Sequence, residues 1–175
     1  MIAKLWIGAI VLIAVIAGVA LYYLQVYAYY AEVPVADANV QMVSLTTGTA
    51  EPVAFEGYQG INSDSSPLRY RACYTMPASL AMLTETYVIA DGAEPRVGPG
   101  WFDCFDAGQI GADLQSGTAI AFLGQGDVQY GIDRIVAVYP DGRAFAWHEI
   151  NACGEVVFDG NPAPEGCPPP PESTR

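Results

Sequence analysis

Asp133, His148 and Glu149 are the residues whose types and spacing could do chemistry in this chain. His148 stands between Trp147 and Glu149 and is the single histidine. An imidazole beside a carboxylate has the makings of a general base or a metal ligand. Asp133 joins the pair through strand register. Pro140-Asp141-Gly142 suits a type I turn followed by a left-handed glycine bulge, and it separates two strand-like runs, Val128–Tyr139 and Arg143–Ile150. With a three-residue loop, Tyr139 faces Arg143, Ile135 faces Trp147, Arg134 faces His148 and Asp133 faces Glu149. Like charges set opposite each other are destabilising. Such a pair calls for a shared proton, a bound cation or ample solvent. A four-residue loop pairs Arg134 with Glu149 instead. The turn chemistry favours the first register and the charges favour the second, so the sequence leaves both open.

The competing reading of His148 is a partly buried structural residue that shares a strand face with Ala144, Ala146 and Ile150. A lone histidine cannot build a His-rich zinc or copper site, so neither a metal nor a cofactor is expected. There is no G-x-S-x-G nucleophile elbow. Arg69 and Arg71 share a strand face with Cys73 and could clamp a carboxylate or phosphate in bidentate fashion. Cross-strand pairing with the chain's many acids is the alternative. Asp103 and Asp106 bracket Cys104, and helix capping explains Asp106 without catalysis. Gly124-Gln125-Gly126-Asp127 lacks the lysine and the spacing of a phosphate-binding loop and reads as a tight turn.

Cys73, Cys104, Cys153 and Cys167 make an even set with no C-x-x-C, which points to disulfides rather than a redox pair or zinc knuckle. No C-x-x-C-H is present for covalent haem. Four cysteines allow three pairings. Cys73–Cys104 with Cys153–Cys167 is preferred, because the second bond pins the proline-rich tail to the body.

The elements that must position these residues start with an uncharged apolar run, Leu5–Leu24. About 20 such residues match the hydrocarbon core of a bilayer. Tyr22, Tyr23, Tyr27, Tyr29 and Tyr30 suit the membrane–water interface at one end, and Trp6 the other. A cleaved signal peptide is the alternative, with Val26-Tyr27-Ala28 as its site, but the run is long for a signal and ends in bulky rings. Lys4, the only lysine, precedes the span, while Glu32 and Asp37 follow it. The positive-inside rule then puts the start in the cytoplasm and the rest in the periplasm. Ala14 and Gly18 form a small-residue pair on the span.

The expected organisation is a cytoplasmic start at 1–4, an anchor at 5–24, an aromatic collar and linker at 25–39, a domain at 40–160 and a proline-rich tail at 161–175. The fold expected is α+β, a mainly antiparallel sheet with one or two short helices. Strands are expected at Val40–Thr47, Leu68–Thr75, Thr118–Leu123 and in the hairpin runs, with a possible last strand at Glu155–Phe158. Glu51–Pro67, with its glycines, Asn62-Ser63-Asp64 and Pro67, reads as loop, with or without one short strand. Helices are expected near Pro77–Tyr87, capped by Thr75, and over Ala107–Ser116 between Asp106 and Gly117.

The net charge of −12, from 19 acidic and 7 basic residues, excludes nucleic acid as a partner and disfavours anionic lipid headgroups. A basic protein surface would be attracted.

Tyr22–Tyr30, Tyr130–Arg143 and Ala146-Trp147-His148-Glu149 carry a resemblance to a family of short, N-terminally anchored proteins of Rhodobacter-like alphaproteobacteria. That family has no established activity, so the resemblance implies no site residue. A histidine-kinase label borne by some members does not fit this chain, which has one histidine and no glycine-rich ATP-binding boxes. The first expectation is therefore a single-pass inner-membrane protein. Its acidic, disulfide-bonded periplasmic domain is non-enzymatic and acts by contact, as an accessory or assembly protein of a membrane complex. The alternatives are a membrane-tethered hydrolase or cation-binding enzyme using Asp133, Glu149 and His148, and a periplasmic sensor that grips an anionic ligand with Arg69 and Arg71.

Overall fold

The computed structural model describes residues 2–172; expectations that touch Met1 and 173–175 fall outside the described residues. The apolar run forms helix α1, Ile2–Tyr23, continued by a π-helical turn over Leu24–Ala28. Between Lys4 and Ala28 it is long and apolar enough to cross a membrane, and none of its apolar core is buried against the domain. A soluble protein would hide such a helix.

The domain is built on six antiparallel strands: β1 (Ala31–Glu32), β4 (Glu56–Asn62), β5 (Arg71–Thr75), β8 (Arg143–Ile150), β7 (Ile132–Val138) and β6 (Ile120–Gln129), in that spatial order. Strands β2 (Gln41–Val43) and β3 (Ala50–Pro52) form a separate ribbon. Short helices α2 (Leu80–Thr86), α3 (Ala107–Ser116) and α4 (Ala152–Phe158) complete an α+β fold.

Period-two alternation gives the sheet two apolar faces. Ala72, Tyr74, Val136, Val138, Ala144 and Ala146 pack under the ribbon and α2, with Met42 and Leu83 fully buried between them. Cys73, Ile135, Ala137, Phe145 and Trp147 face the other way, against Phe102 and Phe105 of the segment leading into α3 and Ile110 of α3 itself.

The hairpin adopts the three-residue loop. Tyr139 and Arg143 close it, Gly142 has φ +87°, and Asp133 pairs with Glu149 as Arg134 does with His148. The glycine supplies the left-handed residue that this turn needs. Helix α3 has the expected bounds, with the Asp106 carboxylate accepting from the Gln109 N–H and Gly117 at φ +75°.

Several expected elements differ. Residues 51–67, expected as loop with or without one short strand, hold the seven-residue strand β4, second in the sheet order between β1 and β5. Part of the expected linker, Ala31–Glu32, is a sheet strand. The cap of α2 is Ser79 rather than Thr75, because the helix starts at Leu80. Leu68–Thr75 starts as a 3-10 turn, Pro67–Arg69, before β5. Gly124–Gly126 continue β6, and the turn falls instead at Tyr130-Gly131, which splits the expected Val128–Tyr139 strand. Glu155–Phe158 belong to helix α4, whose first free N–H groups meet the Asn151 side chain.

Disulfides join Cys73 to Cys104 and Cys153 to Cys167. The first ties β5 to the loop before α3; the second, with the Tyr130 hydroxyl donating to the Pro168 carbonyl, holds the start of the tail against the body.

Candidate functional site

Asp133 and Glu149 project from neighbouring strands onto one face, beside a concavity of about 300 Å³ walled by Val88, Ala90, Leu123 and Ile135. Each carboxylate already holds two donors on one oxygen. Asp133 Oδ1 accepts from the Asp127 N–H (2.8 Å) and Asn151 Nδ2 (2.8 Å). Glu149 Oε2 accepts from Trp147 Nε1 (3.0 Å) and the Glu94 N–H (3.1 Å). Burial raises the Glu149 pKa, against the pull of those two hydrogen bonds. Fixed donors thus answer the like-charge problem that the register posed. The pair serves to fasten the 91–94 loop and the β6–β7 turn to the sheet.

His148 lies on the opposite face. The structure brings Asp133 and Glu149 together and leaves the imidazole out, as the alternation of a strand requires for adjacent residues. His148 is 5% exposed and stacks on Tyr70 at 4.6 Å between ring centres. Nδ1 lies 2.6 Å from the Pro67 carbonyl, so it carries the proton and donates. Nε2 accepts from Arg134 Nε at 3.1 Å. Both ring nitrogens are spoken for, which removes the general base from the Asp133–Glu149 pocket. No group of three His, Cys, Asp or Glu residues suited to a metal ion occurs among the described residues.

Burial, with Arg134 and Arg71 adding to it, pushes the His148 pKa down to about 4, against the bond to Pro67. The folded state therefore keeps the ring neutral where the unfolded chain takes up a proton. Its contribution to stability is full above the ordinary value near 6.5 and is lost as pH falls from there towards 4. The interval is worth about 3 kcal/mol. Glu149, with its raised pKa, works in the opposite direction on acidification. Denaturation of the full chain in detergent between pH 7.5 and 4 should show this loss, and His148→Gln should flatten it. An unchanged slope in the variant would remove His148 as the acid-sensitive group.

Arg71 and Arg69 also part company. Arg71 is 3% exposed and donates to four carbonyls: Arg96 (2.7 Å), Val97 (3.1 Å), Leu68 (2.8 Å) and Tyr70 (2.6 Å). It is a strut that joins β5 to the segment ahead of α3, with no guanidinium edge left for a ligand. Arg69 sits in the 3-10 turn, its guanidinium 5.9 Å from the centre of the Tyr29 ring and 5.5 Å from that of Tyr30.

Those tyrosines open onto a feature the sequence reading missed. Trp101 Nε1 donates to the Val26 carbonyl at 2.7 Å. Its indole stacks on Tyr27 at 6.2 Å and meets Tyr30 edge-on at 5.9 Å. Val26 lies in the last turn of the helix, where carbonyls have no partner within the helix, so its oxygen is open to the indole. Together with β1 in the sheet, Trp101 fastens the end of the apolar helix to the domain. Nothing local to Gly98-Pro99-Gly100-Trp101 signals such a partner.

An exposed apolar helix welded to an acidic, doubly disulfide-bonded α+β domain defines the general class. Within it, the chain belongs to the family of unknown function DUF6446, whose profile matches residues 40–168. That stretch encloses both disulfides, Arg71, Trp101 and the Asp133–Glu149 hairpin. No curated protein and no solved structure matches the chain.

Proposed function

We propose that the protein is a single-pass inner-membrane protein with its N-terminus in the cytoplasm and its acidic domain in the periplasm. The domain acts by contact, as an accessory or assembly protein of a membrane complex. The observation that carries this reading is the Trp101–Val26 weld with its stacked tyrosines. A tether that only concentrates an enzyme at a surface works through a slack linker. Here the segment after the helix is taken into the sheet, so the domain holds one orientation relative to the anchor. Fixed orientation lowers the cost of ordering on binding, which serves a docking protein. The weld also supports a retained anchor, since cleavage after Ala28 would strip Trp101 of both the Val26 carbonyl and the Tyr27 ring. Two disulfides fit an oxidising compartment. The net charge of −12 favours a basic docking face.

The test is affinity purification of the tagged full chain from native membranes in mild detergent, with quantitative mass spectrometry. A near-stoichiometric membrane partner is expected. Trp101→Ala should reduce its recovery about tenfold while leaving both disulfides formed. Recovery of the chain alone would defeat the proposal.

A further inference from the structure

Val97 is 83% exposed, more than any other large apolar side chain among the described residues, those of α1 included. Single apolar side chains on a surface are ordinary. Two features set this one apart. Its backbone is clamped: Arg71, itself buried, donates to the carbonyls of Arg96 (2.7 Å) and Val97 (3.1 Å), so the loop holds the isopropyl group out instead of folding it back. The loop is also tied to the collar from both ends. At one end, Trp101 donates to the Val26 carbonyl and packs on Tyr27 and Tyr30. At the other, the Arg71 guanidinium also binds the carbonyls of Leu68 and Tyr70, which flank Arg69, and the Arg69 guanidinium lies over the rings of Tyr29 and Tyr30. The stretch of chain from Val97 to Trp101 spans at most about 14 Å, so Val97 stays within that reach of the weld. Strand pairing agrees. Glu32 pairs with Ile61, Ile61 with Arg71 and Arg71 with Trp147, which puts this row at the collar end of the sheet. The hairpin turn Pro140–Gly142 lies at the other end, beyond Arg143 and Thr75.

Val97-Gly98-Pro99-Gly100-Trp101 carries no charge, in a chain whose net charge is −12. Anionic headgroups repel the domain as a whole, so the part of it that approaches a bilayer has to be uncharged and apolar. Tyr27, stacked on Trp101, is itself 43% exposed, so the apolar surface of the collar continues onto the loop. Aromatic side chains of this kind sit at the headgroup level. We propose that the Val97–Trp101 loop is a second membrane contact, in which Val97 enters the interfacial layer of the bilayer beside the tyrosine collar and the lipid surface is its partner. The weld sets the domain's orientation to the helix; this contact sets it to the plane of the membrane. The inference rests on the reading of α1 as a retained anchor.

The experiment places a nitroxide on the full chain through Val97→Cys, with both native disulfides formed, and reconstitutes the protein in phosphatidylcholine vesicles. Relaxation by dissolved oxygen against a water-soluble nickel complex reads the depth of the label. At position 97 it should lie about 5–10 Å below the lipid phosphates. A label introduced by Asp141→Cys, on the hairpin turn at the far end of the sheet, should read as aqueous. Hydrogen exchange in the same vesicles checks the contact without a label: Val97→Asp should speed the exchange of the Gly98, Gly100 and Trp101 amides relative to wild type. The substituted side chain faces outward and Arg71 binds only main chain at this position, so the variant keeps its fold. A label at 97 as accessible to nickel as the one at 141, or unchanged exchange in Val97→Asp, overturns the contact. Shielding of the label in native membranes but not in lipid vesicles overturns it too, and assigns the loop to a protein partner. Failure of the anchor reading looks different: carbonate washing would release the chain from native membranes, whereas failure of the loop contact would leave it embedded.

Discussion

Replacing Arg71 with Met is expected to lower the unfolding free energy by about 3–5 kcal/mol. Burial lowers the Arg71 pKa to about 10, with nearby Arg96 adding to the effect, so the guanidinium is charged at neutral pH. It has no carboxylate partner among the described residues; four main-chain carbonyls take its protons. Exchanging a buried ion for a hydrophobe is often harmless when both members of a pair leave together. Here only the donor leaves, and the carbonyls of Leu68, Tyr70, Arg96 and Val97 stay where they are with less to bind. Met fills much of the stem volume beside Phe105, so the loss reads as lost hydrogen bonds rather than a cavity. Lysine, with one compact ammonium, cannot span acceptors on both sides of the strut and should recover only part of the loss. Because Arg71 ties β5 to the segment that carries Trp101 and Cys104, amides around 96–105 should exchange faster in the variant. Chemical denaturation of the full chain in detergent, read with hydrogen exchange, checks both effects. A change of under 1 kcal/mol with protected amides would show that the strut is dispensable.

Gly131→Ala is expected to cost about 4 kcal/mol and to leave free thiols. Gly131 holds φ +75° at the turn between β6 and β7, a conformation that strains any residue with a Cβ. Space is the larger obstacle. A Cβ at this position would lie 2.5 Å from the Gly154 Cα and 2.9 Å from its nitrogen. The turn and the first turn of α4 touch backbone to backbone, fastened where the Asn151 N–H meets the Gly131 carbonyl at 2.9 Å. Neither side is a flexible side chain that can swing away, so α4 must shift. Cys153 sits in that first turn, and moving it draws it from Cys167. Gly166→Ala is the fitting control. Its φ is +90°, but nothing lies within 4 Å of the added carbon, so only backbone strain of about 1 kcal/mol applies. Maleimide labelling before and after reduction, beside a denaturation curve, reads both variants. An oxidised Gly131→Ala protein with wild-type stability would mean that the contact yields.

The parts of this fold that local chemistry dictates were legible residue by residue. Asp106 and Gly117 bound α3 because a carboxylate and a left-handed glycine act on the backbone next to them. Pro140-Asp141-Gly142 set the hairpin register over the opposing preference of the charges. The Asp133–Glu149 pair is relieved by donors from Asp127, Asn151, Trp147 and Glu94 that the strand pattern does not reveal. Strand β4 was hidden because Gly57 and Gly60 read as loop punctuation. In the sheet, the ring of Tyr58 lies over Gly60, filling the space of its missing side chain. Helix α4 was hidden by Val156 and Val157, whose strand preference is overridden by the Asn151 cap and the packing of Gly154 on Gly131.

The sequence by itself determined the apolar span and its tyrosine collar, the acidic character of the domain, the cysteine set from which two disulfides form, and the α+β class. Strand alternation separates His148 from Glu149, which the expected site had grouped together with Asp133. Only the tertiary structure decided what the two arginines do and how the anchor meets the domain. Two of the four carbonyls that Arg71 binds, those of Arg96 and Val97, lie 25 and 26 residues away, and Trp101 reaches a carbonyl 75 residues away. Every residue carries a carbonyl, so an acceptor of this kind leaves no mark in the identity of the residue that supplies it. Such contacts are chosen by the path of the folded chain, whereas spans, caps and turns are chosen by the side chains that build them.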